Sequence, residues 1–108
     1  MGKYYGESHE CVALVKYWCN APETAKWGRG ELVKGSDILK GTAIATFNSS
    51  GKYANIVGQS HAAIYLSQDS SGIQVIDQWD GQVAHNRTIR FDNSATPVNN
   101  GNKFYVID

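Results

Sequence analysis

The chain lacks an excess charge of either sign: ten basic residues stand against ten acidic ones in 108. A protein that holds nucleic acid by neutralising phosphates needs a surplus of lysine and arginine, so neutrality argues against that class. A neutral polymer as substrate is left open. No apolar run approaches the roughly 20 residues of a membrane span, so no membrane span is expected. The N-terminal stretch Met1-Gly2-Lys3-Tyr4-Tyr5-Gly6 has a lysine with no apolar segment after it, and no secretory signal is expected there. Cysteine is also scarce, with Cys11 and Cys19 alone. On one helix their eight-residue separation spans about 12 Å, while a disulfide needs Cα atoms within about 7 Å. A Cys11–Cys19 bond is therefore not expected.

What remains is an ordinary globular composition, 42% hydrophobic and 19% charged. The length suits a single domain over residues 1–108. No repeat or linker divides it.

A helix is expected from about His9 to Cys19. Ser8 is a candidate N-cap, and Cys11, Val15 and Trp18, with Val12, Leu14 and Cys19, form an apolar stripe at helical spacing. Asn20 and Pro22 stop it. The stretch from Pro22 to Gly35 reads as loop, and Glu31 to Leu39 as a further short turn. Strands follow at Thr42–Phe47, His61–Ser67, Ile73–Trp79, Arg87–Phe91 and Lys103–Ile107. The polar turn Gln68–Gly72 makes the second and third of these the clearest hairpin. Asn93 to Asn102 reads as a long turn. A helix followed by a run of strands gives an α+β fold with an antiparallel sheet of about five strands.

Cys11 falls in the first turn of the expected helix. There the free N–H groups and the helix dipole favour a thiolate. Cys19 falls at the opposite, unfavourable end and reads as core or boundary. Free cysteine is commonly just a small buried hydrophobe; position moves Cys11 away from that use. His61 opens an apolar strand after Gly58-Gln59-Ser60, which places an imidazole at a sheet rim. A cysteine nucleophile with a histidine base is the chemistry this pair suggests. Such a pair uses a third polar group to hold the ring. Asp77 and Gln78 lie on the strand paired with the His61 strand, and alternation lets only one of them share a face with His61. Asp77 is favoured, because a carboxylate both orients the ring and stabilises the imidazolium. His9, Cys11, Cys19, His61 and His85 show no zinc-ligand spacing, so no metal site is expected. Trp18, Trp27, Trp79 and the six tyrosines read mainly as core or rim packing.

Taken in order, these features resemble the papain-like peptidoglycan amidohydrolases, the CHAP and NlpC/P60 group. Tyr5-Gly6 followed by Glu10-Cys11-Val12 looks like that group's lead into its nucleophile helix. The Trp27 and Gly30 segment looks like the connection after the helix. Lys40 to Phe47 resembles the glycine-led strand before the histidine. Ser60 to Tyr65 looks like the histidine strand, and Val75-Ile76-Asp77-Gln78-Trp79 the strand with the third polar residue. The likeness covers roughly residues 4 to 80. It departs at Glu10, where glutamine or aspartate is more usual, and in having no cell-wall-binding module. A small, signal-less member resembles the amidase effectors delivered by type VI secretion.

The resemblance implies a papain-like fold and hydrolysis of an amide bond in the peptide part of peptidoglycan. Cys11 would be the nucleophile, His61 the base and Asp77 the orienting residue. The Cys11 N–H would serve the oxyanion, with Tyr5, Glu10 and Gln78 as candidate substrate or oxyanion contacts. No cofactor is implied, and an immunity or inhibitor protein is a candidate partner. Synthesis in the cytoplasm and action in the periplasm of a target cell would follow. Two other readings stand beside this one. One is an acyltransferase or deamidase acting on a non-wall substrate. The other is a non-catalytic binding domain of the same fold.

Overall fold

A computed structural model describes residues 3–6, 10–19, 21, 23–48, 50–53, 60–79, 81–92 and 99–107. Ser8, His9, Asn20, Pro22, Gly58, Gln59 and the 93–98 stretch, on which several expectations rest, lie outside the described residues.

Helix α1 spans Cys11–Cys19, and the strands are β1 (Arg29–Leu32), β2 (Ala43–Thr46), β3 (Ala62–Gln68), β4 (Gly72–Trp79), β5 (Gln82–Arg90) and β6 (Phe104–Ile107). They form one sheet in the order β1-β6-β2-β3-β4-β5, with every pairing antiparallel. The fold is α+β, one helix on an antiparallel sheet, consistent with the papain-like class.

Alternation along the strands divides the core. Ile44, Ala63, Tyr65, Ile73, Val75, Ile89 and Phe104 pack together with Val33 on one side. Ala45 and Ala62 pack against Val15 of α1, and Ile64 and Ala84 against Leu14. Alanine at three of those four sheet positions removes bulk where the helix lies, so α1 sits close to β3 and β4. The three buried helix residues, Ala13, Leu14 and Val15, form the face it presents. Lys16 in the last turn complements the negative end of the helix dipole.

The β3–β4 hairpin closes as the sequence suggests. The Asp69 carboxylate accepts from the N–H groups of Ser71 and Gly72, and the Asp69 N–H donates to the Gly72 carbonyl. An Asx turn of this kind explains the polar run between two apolar strands.

Two differences from the sequence reading have physical causes. The sheet has six strands among the described residues. The additional one, β1, falls in a segment read as loop and turn. It is a largely exposed edge strand, Arg-Gly-Glu-Leu, held to β6 through its main chain. Edge strands of this kind carry charge in place of apolar alternation. Strand β5 begins at Gln82, five residues earlier than expected, and its extra length pairs His85 with Asp77.

Gly6 makes a close approach to the helix. It has φ +91°, and a Cβ added there would sit 2.3 Å from the Ala13 carbonyl oxygen of α1. Both the backbone conformation and the contact require glycine. Gly6→Ala is expected to cost more than about 2 kcal/mol, read as a lower urea midpoint. An unchanged midpoint would show that the leading segment is not packed on the helix.

Candidate active site

Cys11 is the first residue of α1, where the chain enters the helix from Glu10. His61 directly precedes β3. Its main chain is clamped to β2: the His61 N–H donates to Thr46 Oγ1 at 3.0 Å, and the Thr46 N–H donates to the His61 carbonyl at 3.0 Å. The imidazole ring stands edge-on to Trp79 and to Phe104, each at a centroid distance of 6.3 Å. This packing leaves the ring little freedom.

One end of that ring meets a carboxylate. His61 Nε2 lies 2.7 Å from Asp77 Oδ2. Asp77 is wholly buried, and the same Oδ2 accepts a second bond, from Arg87 Nε at 2.7 Å. Oδ1 is buried with no hydrogen-bond partner among the described residues, and His85 Nδ1 lies 3.8 Å from it. His85 Nδ1 is 3.2 Å from the Val83 carbonyl. Asp77 thus faces three nitrogen-bearing side chains, from His61 just before β3 and from His85 and Arg87 of β5.

The ring also neighbours the Cys11 sulfur and acts on its thiol. Tyr53 supplies another contact, its hydroxyl lying 3.7 Å from Sγ. The Tyr53 ring is buried against Trp27 at 4.9 Å between centroids. The Ala62 N–H also acts on the sulfur, in the direction that lowers the thiol.

The electrostatics follow from these contacts. Burial opposes the Cys11 thiolate. The bond and charge of His61 act against it, aided by the Ala62 N–H and the Tyr53 hydroxyl, and the thiol ends below its ordinary value. Burial likewise opposes the His61 cation, but the bonds to Asp77 and Cys11 and their charges prevail, and the ring is pushed up to about 9. Asp77 is raised by burial and lowered more strongly by His61 and Arg87, so it stays ionised. Tyr53 is pushed far up by burial, then by the charge of Cys11 and that of Glu10, and keeps its proton. These shifts all run toward a thiolate beside an imidazolium, with the imidazolium on a carboxylate.

Gln78 points the other way, to the helix side of the sheet, as alternation from Asp77 requires. Its Oε1 accepts from the Tyr5 N–H at 2.8 Å, and its Nε2 donates to the carbonyls of Tyr5 and Glu10, each at 2.9 Å. This buried amide ties the segment leading into Cys11 to β4. The Tyr5 ring packs on Tyr17 and Trp18, with the Lys3 ammonium 5.1 Å from its centroid. Glu10 is exposed, with its charge felt at Tyr53. Of the six residues singled out from sequence, Cys11, His61 and Asp77 form one cluster. Tyr5, Glu10 and Gln78 are joined in a second, which abuts the first at Cys11.

Three neighbours were not singled out for the site from sequence. Tyr53 lies between strands with no motif around it. Arg87 reads only as a strand position and His85 only as one of the residues without zinc-ligand spacing, because the register that sets them beside Asp77 belongs to the pairing of β4 with β5.

Comparison with known proteins then gives the family. Residues 1–107 match the family described as Domesticated amidase effector 2. The chain belongs to that family. A relative named Domesticated amidase effector 2, from Ixodes scapularis, is 44% identical, with 94% of this chain and 72% of that protein aligned. One named Type VI secretion amidase effector 2 protein, from Salmonella typhi, is 34% identical over 94% of this chain and 86% of its own length. Among solved structures, Type 6 secretion amidase effector 2 (Tae2) superposes with a TM-score of 0.85 at 29% identity, covering all of this chain and 87% of that one. These relatives carry the amidase-effector name rather than CHAP or NlpC/P60, the broader group that the sequence resembles.

The two thiols are separated by environment. Cys19, at the other end of α1, is raised by burial. Alkylation by iodoacetamide at pH 7 should therefore modify Cys11 well before Cys19, and His61→Ala should abolish the preference. Peptide mass mapping checks this; equal modification of both thiols in the wild type would contradict the ionised pair.

Proposed function

We propose that this chain is a cysteine amidase that cleaves an amide bond in the peptide part of bacterial peptidoglycan, as an antibacterial effector. The observation that carries the reading is the Cys11–His61–Asp77 alignment, a lowered thiol beside a raised imidazole on a buried carboxylate. It lies in a family whose named relatives are amidase effectors. The 108 residues act as one catalytic domain.

In the proposed reaction the Cys11 thiolate attacks the scissile carbonyl carbon. Charge gathers on the carbonyl oxygen, and the Cys11 N–H at the start of α1 is the proposed donor to it. As the tetrahedral intermediate collapses, the C–N bond breaks and the His61 imidazolium gives its proton to the departing amine. The acyl group is left on sulfur as a thioester. Neutral His61 then takes a proton from water as its oxygen adds to the thioester carbon. Loss of the thiolate releases the acid and restores the pair. Asp77 keeps the ring oriented and favours its charged form, while Gln78 fixes the backbone from which the nucleophile projects.

Peptidoglycan is reached from the periplasm of the target cell, which is the proposed place of action. A cell making such an enzyme would need protection from it, and an immunity protein covering the site is the proposed partner.

Purified peptidoglycan incubated with wild type should release new amines, and Cys11→Ala, folded as judged by circular dichroism, should release none. Product masses increased by one water per cut would mark hydrolysis, and conjugates with an added amine would mark transfer instead. The pH profile should be a bell. On the acid side activity falls as Cys11 regains its proton. On the alkaline side it falls as pH rises through about 9, where His61 loses the proton it must donate. Cleavage by Cys11→Ala, or activity that stays constant well above that pH, would overturn the proposal.

A further inference from the structure

Arg87 stands on β5 opposite Val75, diagonally across from Asp77 on the same face of the sheet. Its side chain is committed on three sides. Nε donates to Asp77 Oδ2 at 2.7 Å, Nη1 donates to Asn99 Oδ1 at 3.0 Å, and the guanidinium lies 5.2 Å from the centroid of the Trp79 ring. Trp79 in turn stands edge-on to His61 and, at 5.3 Å, to His85. Arg87 and His61 therefore bond the same carboxylate oxygen and share the same aromatic neighbour. The Arg87 side chain is one-fifth exposed, whereas that of Asp77 is wholly shielded.

A buried carboxylate bonded only to a histidine loses its cationic partner each time that histidine gives up its proton. Arginine does not titrate in proteins. A guanidinium on Oδ2 gives Asp77 a counter-charge that persists through each proton transfer at His61. It also moderates how tightly the imidazolium is held, because two cations compete for one oxygen.

We propose that Arg87 is a positioning residue for the reaction, acting through Asp77 to hold a fixed carboxylate at His61 and to set the pH range in which the Cys11–His61 pair is charged. The inference rests on the cysteine-amidase reading.

The charged and titratable groups around His61 are Cys11 of α1, Tyr53 with nearby Glu10, Asp77 of β4, and His85 and Arg87 of β5. Removing one cation from this set raises the proton affinity of every member. Thiolate formation at Cys11 and proton loss from His61 then both move to higher pH. A purely structural arginine would instead lower the rate at every pH and leave the profile where it is.

The test is the pH dependence of two rates, peptidoglycan cleavage and iodoacetamide alkylation of Cys11. They are measured for wild type, Arg87→Gln, Arg87→Met and Arg87→Lys. Both limbs should move up by about one pH unit in the neutral variants, and Arg87→Lys, which keeps the charge, should restore the wild-type range. Arg87→Met keeps an apolar stem against Trp79 and serves if Arg87→Gln does not fold. Lower rates with unmoved limbs would overturn the proposal. So would a lysine variant that shifts as far as the neutral ones, or failure of both neutral variants to fold, which would assign the guanidinium to stability. Alkylation needs no wall substrate. Absence of cleavage by wild type would therefore sink the amidase reading while the alkylation profile still decided the role of Arg87.

Discussion

The site depends on one oxygen atom. Oδ2 of Asp77 receives His61 at 2.7 Å and Arg87 at 2.7 Å, inside a wholly buried carboxyl group. Burial alone would push that carboxyl toward its neutral form. The two cationic donors reverse the balance, and the ionised group then does the same for His61. The charged ring lowers the thiol in turn. Each step in this sequence is opposed by desolvation and carried by the next neighbour's charge, so removing any one member weakens the others. The second carboxylate oxygen has no hydrogen-bond partner among the described residues and faces His85 Nδ1 at 3.8 Å.

The fold brings the sulfur to this arrangement through close packing. Alanines at 45, 62 and 84 let α1 settle on the sheet, and Gly6 lets the leading segment pass against the helix main chain. Two successive residues of β4 then serve opposite sides of the sheet. Asp77 holds the histidine on one, and Gln78 holds the backbone of Tyr5 and Glu10 on the other. The bulge in pairing between Asp77 and Trp79 falls where Asp77 and Gln78 are buried and Trp79 is exposed. Bulges commonly redirect side chains beside functional sites.

The elements legible in the sequence are those whose physics is local. Helical spacing of apolar residues marked α1, and the polar turn between two apolar runs marked the β3–β4 hairpin. Alternation required that Asp77 and Gln78 part company, and they do. Strand β1 was not legible, because its place in the sheet comes from main-chain bonds to β6, 75 residues away, and its side chains stay largely in water. Arg87 and Tyr53 were not legible for the related reason that nothing near them in sequence names their partners. Arg87 reaches Asp77 across a strand register, and Tyr53 reaches Cys11 because Trp27 backs its ring. Even the rim position expected for His61 proves a buried one, closed in by Phe104 and Trp79.

Membership of the Domesticated amidase effector 2 family agrees with a small fold given over largely to one cluster of charges. The central claim is that Asp77 keeps His61 protonated beside Cys11 at neutral pH. Nuclear magnetic resonance titration of the histidine rings tests it most directly, with the His61 signal assigned by its loss in His61→Gln. The account predicts a ring that is doubly protonated at pH 7 and titrates near about 9. A His61 ring that is neutral at pH 7, titrating at or below the ordinary histidine value, would contradict it.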